Sequence, residues 1–343
     1  VSSVATYGLV NARVHAKRSS LLTASGYKAL AAAIDLPETL NLLSRFKYKT
    51  MIERARDLSI ESLERLLIRE EVRQILEIKN SSRGPAREII ALMLARIDAE
   101  NIKSILRAWQ KHEKTVSDVI ECPGLVLLPV ANMLAAPTPA KFAEYFAMLP
   151  FQGAFLKATQ DFDRRRSLFD IEVAIDKSLY EDVWNLTARL NKTDQNIVRR
   201  MVGIEIDLKN LDWVARIRKY YLAQISLTEN SLIPNGFRLP YTTLRKMIAG
   251  GSLEDGLDKI MPGLAPTAAP DSDQIMALDR LEQFLNQALF HEANRLFLEY
   301  PLSIGSTIGY YFLIRIESRN IRTIINSKYY KLTPQAILPR LVY

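Results

Sequence analysis

The sequence predicts an all-α fold of three homologous helical domains, arranged as a pseudo-threefold ring or funnel. A recurring phrase is the first reason. It reads Ile97-Asp98-Ala99-Glu100-Asn101-Ile102, then Ile206-Asp207-Leu208-Lys209-Asn210-Leu211, then Ile316-Glu317-Ser318-Arg319-Asn320-Ile321, with its asparagines 109 and then 110 residues apart. A period this long belongs to repeated small domains, not to a solenoid of roughly 20–50-residue units. The second reason is spacing: apolar residues recur at three and four along most of the chain, and no stretch alternates convincingly as a strand does. The third is that clusters of turn-forming residues fall at matching offsets.

Residues 60–79 carry Ile60, Leu63, Leu66, Leu67, Val72 and Leu76 among Glu and Arg, which predicts an amphipathic helix with supporting charge pairs. Asn80 to Pro85 breaks it, and a second helix follows over about 86–111. The same hairpin returns over about 168–190 and 195–221, with a turn at Asn191-Lys192-Thr193-Asp194. A third has helices over about 274–298 and 304–329, with a turn near Tyr300 to Ser303. Ahead of each hairpin lies a shorter helix-turn-helix: Leu30–Ile34 before Pro37 and Leu40, Leu128–Met133 before Pro137, Pro139 and Phe142, and Leu244–Ile248 before Gly250-Gly251-Ser252 and Leu257. These offsets place domains at 1–117, 118–225 and 226–343, with Pro262–Asp273 as an exposed loop inside the third.

On a helix, Ile97, Asn101 and Ile105 share a stripe, as do Ile206, Asn210 and Val214, and Ile316, Asn320 and Ile324. An amide is thus set into an apolar seam three times. Left unpaired it would cost about 1–3 kcal/mol, so each must find a partner. Asp98, Asp207 and Glu317, three residues earlier, reach the same face. Two roles fit: hydrogen bonds that fix packing in each domain, or polar groups lining a central cavity. Each copy supplies one acid, which argues against a paired-carboxylate catalytic site.

Composition narrows the function further. Of 343 residues, 48% are apolar, enough for packed cores, and 46 Lys and Arg against 38 Asp and Glu give a net charge of +8. A basic balance suits an acidic partner or simply a solvated surface. Cys122 is the only cysteine, and its apolar flank suggests an inert thiol; His15, His112 and His291 show no ligand spacing. No metal or cofactor is expected. Phosphate-loop, dinucleotide and nucleophile-elbow motifs are missing, which points away from an enzyme. Val1–Tyr7 does not read as a signal peptide, and the apolar run Leu125–Ala136 is too short to span a bilayer. Arg216–Tyr221 and Asn326–Lys331 interleave cations with aromatics, yet cations at helix C-termini also oppose the dipole, and no nucleic-acid recognition motif accompanies them. Arg164, Arg165 and Arg166 form a basic cluster that could face anionic lipid or acidic protein.

The three phrases, with Tyr7-Gly8-Leu9-Val10-Asn11-Ala12-Arg13-Val14-His15-Ala16 and Leu21-Leu22-Thr23, make the whole chain resemble the C subunit of archaeal-type and vacuolar-type rotary ATPases, the counterpart of the eukaryotic d subunit. The resemblance implies a funnel of three helical domains without catalytic residues. It implies a place on the cytoplasmic face of the membrane, as a peripheral socket. There the chain would link the central shaft, made of the D and F subunits, to the proteolipid ring and couple ATP synthesis or hydrolysis to proton or sodium transport. The competing reading is a soluble helical-repeat adaptor of another complex, one associated with RNA.

Overall fold

A computed structural model describes residues 3–55, 57–160, 168–220, 232–249, 274–300 and 302–343. Among the described residues every regular element is helical, and one isolated bridge joins Pro123 to Leu125. None of the described helices is long and apolar enough to cross a membrane. The elements are α1 (Ser3–Arg18), α2 (Ala24–Ala32), α3 (Leu36–Leu43), α4 (Lys49–Glu53), α5 (Ile60–Ser81), α6 (Gly84–Gln110), α7 (Val130–Leu134), α8 (Pro139–Glu144), α9 (Gln152–Thr159), α10 (Phe169–Leu186), α11 (Lys192–Tyr220), α12 (Tyr241–Ile248), α13 (Gln274–Glu299), α14 (Gly305–Tyr329) and α15 (Pro334–Ile337).

The long hairpins stand where the spacing placed them, α5 with α6, α10 with α11, and α13 with α14, except that the second turn falls earlier than Asn191–Asp194, because α10 ends at Leu186 and α11 already begins at Lys192. The first break is narrower than expected, because α5 runs through Asn80 to Ser81. The Ser81 and Ser82 hydroxyls donate to the Glu77 and Ile78 carbonyls, closing the last turn locally. The short elements ahead of the hairpins are present as α2 with α3, α7 with α8, and α12. Gly250 to Leu257 and the loop Pro262–Asp273 lie outside the described residues. Helix α1 carries Tyr7, Val10 and Val14 buried on one face.

Side-chain caps set several helix starts. Asp35 accepts the Glu38 N–H at 2.9 Å while the Glu38 carboxylate accepts the Ile34 N–H at 2.6 Å, with Pro37 in the first turn of α3. The Thr23, Ser59 and Thr138 hydroxyls accept the Gly26, Ser62 and Lys141 N–H groups and so cap α2, α5 and α8.

The chain gathers into two compact units, residues 1–135 with 290–343, and residues 136–289. In the first, α14 is buried nearly all round, as a central helix must be. It packs on α1, α3 and α5. Leu30, Leu40, Leu43, Leu63, Leu67, Ile321, Ile324, Ile325 and Leu341 share one apolar core, so the last segment of the chain is built into the first. Gly309 lets α14 approach closely: a Cβ there would stand 2.6 Å from the Ala293 carbonyl. In the second unit, Phe142, Phe146, Phe151 and Phe155 form a fully buried aromatic cluster around α8 and α9. Helix α10 packs on α9 and α11, where Trp213 meets the Phe169 ring edge-on at 5.2 Å.

Candidate functional site

The repeated phrase folds into one device three times. Each asparagine stands on the second helix of its hairpin, buried, and grips one residue of the segment that follows. Asn101 donates through Nδ2 to the Ile120 carbonyl at 2.9 Å and accepts the Ile120 N–H through Oδ1 at 2.8 Å. Asn210 does the same to Ile233, at 2.9 and 2.8 Å. Asn320 does so to Val342, at 2.7 and 3.1 Å. A primary amide offers a donor and an acceptor side by side, matching the N–H and C=O of one residue in extended chain. The clamped residues lie 19, 23 and 22 positions downstream, so the grip tolerates different loop lengths.

The acid one turn earlier takes the backbone leading into a short helix. Asp98 accepts the Val126 N–H at 2.9 Å, ahead of α7. Asp207 accepts the Phe237 and Arg238 N–H groups at 3.1 and 2.5 Å, ahead of α12. Gly236 lies hard against the Asp207 carboxylate, where a Cβ would collide with Oδ1. Glu317 turns to a distant partner. Its Oε2 instead accepts the Leu22 N–H at 2.6 Å, 295 residues earlier, just ahead of α2. The longer Glu side chain also accepts the Tyr48 hydroxyl at 2.5 Å and pairs with Lys47 Nζ at 2.6 Å through Oε1. Nearby, Tyr27 stacks on Tyr343 with ring centroids 5.5 Å apart, and Lys328 Nζ donates to the Ala31 and Ala33 carbonyls at 2.6 and 2.5 Å, capping α2. Glu317 thus makes to Leu22 the same kind of carboxylate-to-backbone contact that Asp98 makes to Val126 and Asp207 to Phe237.

All six phrase residues are buried at 4% exposure or less, and the structure brings each acid and amide onto one helix face within its own copy. Arg164, Arg165 and Arg166 lie outside the described residues. Arg216, singled out as part of a basic run, pairs with Glu172 at 3.0 Å and lies over the Trp213 ring. Tyr329 and Tyr330 are exposed at the end of α14. Leu22, Lys47 and Tyr48 were not foreseen as partners. The run Arg45-Phe46-Lys47-Tyr48-Lys49 mixes cations with aromatics as the hairpin ends do, and the third phrase carries Glu317 where the others carry Asp; these are the signals the sequence holds for this contact. The Cys122 thiol is pushed up to about 11 by burial, partly offset by Arg69, and so stays protonated near neutral pH.

Residues 10–340 match the protein family described as ATP synthase (C/AC39) subunit. The chain belongs to the ATP synthase (C/AC39) subunit family. Its curated relatives in that family span it almost end to end. The C subunit of the A-type ATP synthase of Methanocaldococcus jannaschii is 21% identical, over 100% of this chain and 88% of the relative. The C subunit of the V-type ATP synthase of Thermus thermophilus is 24% identical over 95% of each, and that of the A-type ATP synthase of Haloferax volcanii is 23% identical over 97% and 96%. At this level of identity the C/AC39 match rests on length and pattern across both compact units.

Two of the acids give this C/AC39 chain a defined pH response. Burial pushes Asp98 up to about 6, opposed by its bond from Val126. Burial pushes Asp207 up to about 7, opposed by the N–H groups of Arg238, Leu239 and Phe237 and by the Arg238 charge. Both folded-state values exceed the usual carboxylate value of about 3.9. Folding therefore favours the protonated forms. Their stabilising contribution is complete below about pH 4 and is lost as pH rises through about 6 for Asp98 and about 7 for Asp207. The Asp207→Asn variant keeps a neutral acceptor for Phe237 and Arg238. Between about pH 5.5 and 8, wild type is expected to lose on the order of 2 kcal/mol more stability than Asp207→Asn. Denaturant unfolding at both pH values measures the difference, and equal slopes would show that Asp207 does not hold its proton.

Proposed function

We propose that this chain is the non-catalytic coupling subunit of an A/V-type rotary ATP synthase or ATPase. In this reading it is a socket on the cytoplasmic face of the membrane. It joins the central shaft, made of the D and F subunits, to the proteolipid ring and passes torque between them, so that ATP synthesis or hydrolysis drives, or is driven by, proton or sodium transport. The family match over residues 10–340 carries the reading. The chain is built of three homologous domains, 1–117, 118–225 and 226–343, forming a pseudo-threefold funnel around the shaft. Support for the triplication comes from the three amide clamps of one geometry at Asn101, Asn210 and Asn320.

The physics of a coupling part agrees with the geometry within each unit. Torque transmission needs stiffness and joints that do not slip, more than it needs strong binding at any single contact. Long hairpins supply stiffness. After each hairpin one residue, Ile120, Ile233 or Val342, is held by paired backbone hydrogen bonds from a buried amide. In a membrane preparation, removing the chain should abolish ATP-driven ion pumping and adding it back should restore pumping.

A further inference from the structure

Beside the Glu317 cluster, and independent of the coupling role, the first unit holds a concave pocket of about 620 Å³. One wall is a single face of α5, with Leu66, Arg69, Glu70, Arg73 and Leu76 at three- and four-residue spacing. Opposite stands α4 with Thr50, Met51 and Arg54, and Lys47 just before it. Cys122 and Pro123 close the end. At that end Gly124 has φ +95°, and a Cβ on it would collide with the Leu76 side chain, so the loop passes close to α5.

The charges of this pocket are of two kinds. Lys47 is committed to Glu317 and to Gln74 inside the fold, and Arg73 to Glu70 and Glu77 along the exposed side of α5. Arg54 and Arg69 are exposed, and among the described residues neither has an acidic partner. The pocket lining therefore combines two uncommitted guanidinium groups with the apolar side chains of Met51, Leu66, Leu76 and Pro123. Guanidinium forks match the oxygens of phosphate in pairs. The volume exceeds what inorganic phosphate would fill and falls in the range of small-molecule sites.

We propose that this pocket binds an organic phosphate, its phosphate held by Arg54 and Arg69 and its body resting on Met51, Leu66 and Leu76. The phosphate ester can belong to a soluble molecule of nucleotide size or to a lipid headgroup. A bound phosphate also stands next to Lys47, so occupancy competes with Glu317 for that ammonium and reaches the joint at Leu22.

Cys122 lines the pocket and is the chain's single cysteine, so it reports occupancy without engineering. The test follows the alkylation rate of Cys122 by iodoacetamide in the full chain at about pH 9, where a measurable fraction of the raised thiol is ionised. The probes are adenosine triphosphate, pyrophosphate, vesicles of phosphatidylglycerol and an oligoglutamate peptide. Saturable slowing by adenosine triphosphate or by the vesicles is expected, and which of the two acts more strongly names the source of the phosphate. In Arg54→Gln/Arg69→Gln, the concentration for half-protection should rise about tenfold or more. The charge-matched control Arg83→Gln/Arg87→Gln removes two exposed cations outside the pocket and should leave it unchanged. Equal loss in both double variants would reduce the effect to general electrostatics and overturn the site. Absence of protection by any phosphate probe, or protection by oligoglutamate alone, would overturn it as well.

Discussion

Glu317→Ala is expected to be the most destabilising single change among the buried polar residues of the first unit. The substitution leaves the Leu22 N–H and the Tyr48 hydroxyl without their acceptor and removes the carboxylate beside Lys47. Breaking a buried ion pair from one side costs about 3–5 kcal/mol, because the remaining charge stays buried and unpaired. Lys47 keeps a bond to Gln74, which places the loss toward the lower part of that range. Glu317→Gln retains a carbonyl acceptor and the side-chain volume and should lose less. Thermal unfolding of the three proteins gives the order wild type, Gln, Ala. Limited proteolysis adds a local readout, since freeing Leu22 loosens the approach to α2, and cleavage near residues 19–23 should appear in the Ala variant. An Ala variant that melts with wild type and resists cleavage there would show that this joint carries no stability.

The second large effect falls on the amide clamps. Asn210→Ala orphans both the N–H and the C=O of Ile233, a residue only 1% exposed. Each unsatisfied backbone group costs about 1–3 kcal/mol, so about 2–4 kcal/mol is expected for the pair after partial relaxation. Asn210→Asp separates the two halves of the clamp. It keeps an acceptor for the Ile233 N–H but sets a carboxylate oxygen against the Ile233 carbonyl, and should be at least as harmful as Ala near neutral pH. Asn101→Ala at Ile120 and Asn320→Ala at Val342 should fall in the same range, because the geometry is the same. Denaturant unfolding measures all four. A spread in which Asn210→Ala is neutral while the other two are costly would refute the equivalence of the copies.

What could be read from the sequence follows from the range of each interaction. The hairpin helices are set by local spacing, so Leu63, Leu67 and Val72, or Ile308 and Phe312, announce them without reference to the rest of the chain. The buried amides were visible because a polar residue in an apolar stripe recurs with its acid at a fixed offset. Their partners were not. Ile120, Ile233 and Val342 share no residue type that marks them, since the clamp grips main chain and not side chain. The Glu317 contact was least accessible, because Leu22 lies 295 residues away and contributes only its N–H. One sign was present in the sequence: the third acid is Glu where the others are Asp, and the longer side chain reaches Lys47 and Tyr48 as well as Leu22. Helix α1 carries helical spacing at Tyr7, Val10 and Val14, but Asn11 sits in that buried face and obscures the stripe until its bond to the Ser303 carbonyl is seen. The pocket between α4 and α5 joins residues 47–76 to Cys122, so its α5 face was legible as a stripe and its far wall was not.

The coupling role is tested most directly by measuring ATP hydrolysis and ATP-driven ion uptake together in membrane vesicles of the source organism, first depleted of this chain and then reconstituted with it. The account predicts that the depleted vesicles still hydrolyse ATP but take up no ions, and that adding the purified chain restores uptake in proportion to the amount bound. Ion uptake that proceeds at full rate without the chain, or hydrolysis that vanishes from the isolated catalytic head when the chain is withheld, would contradict it.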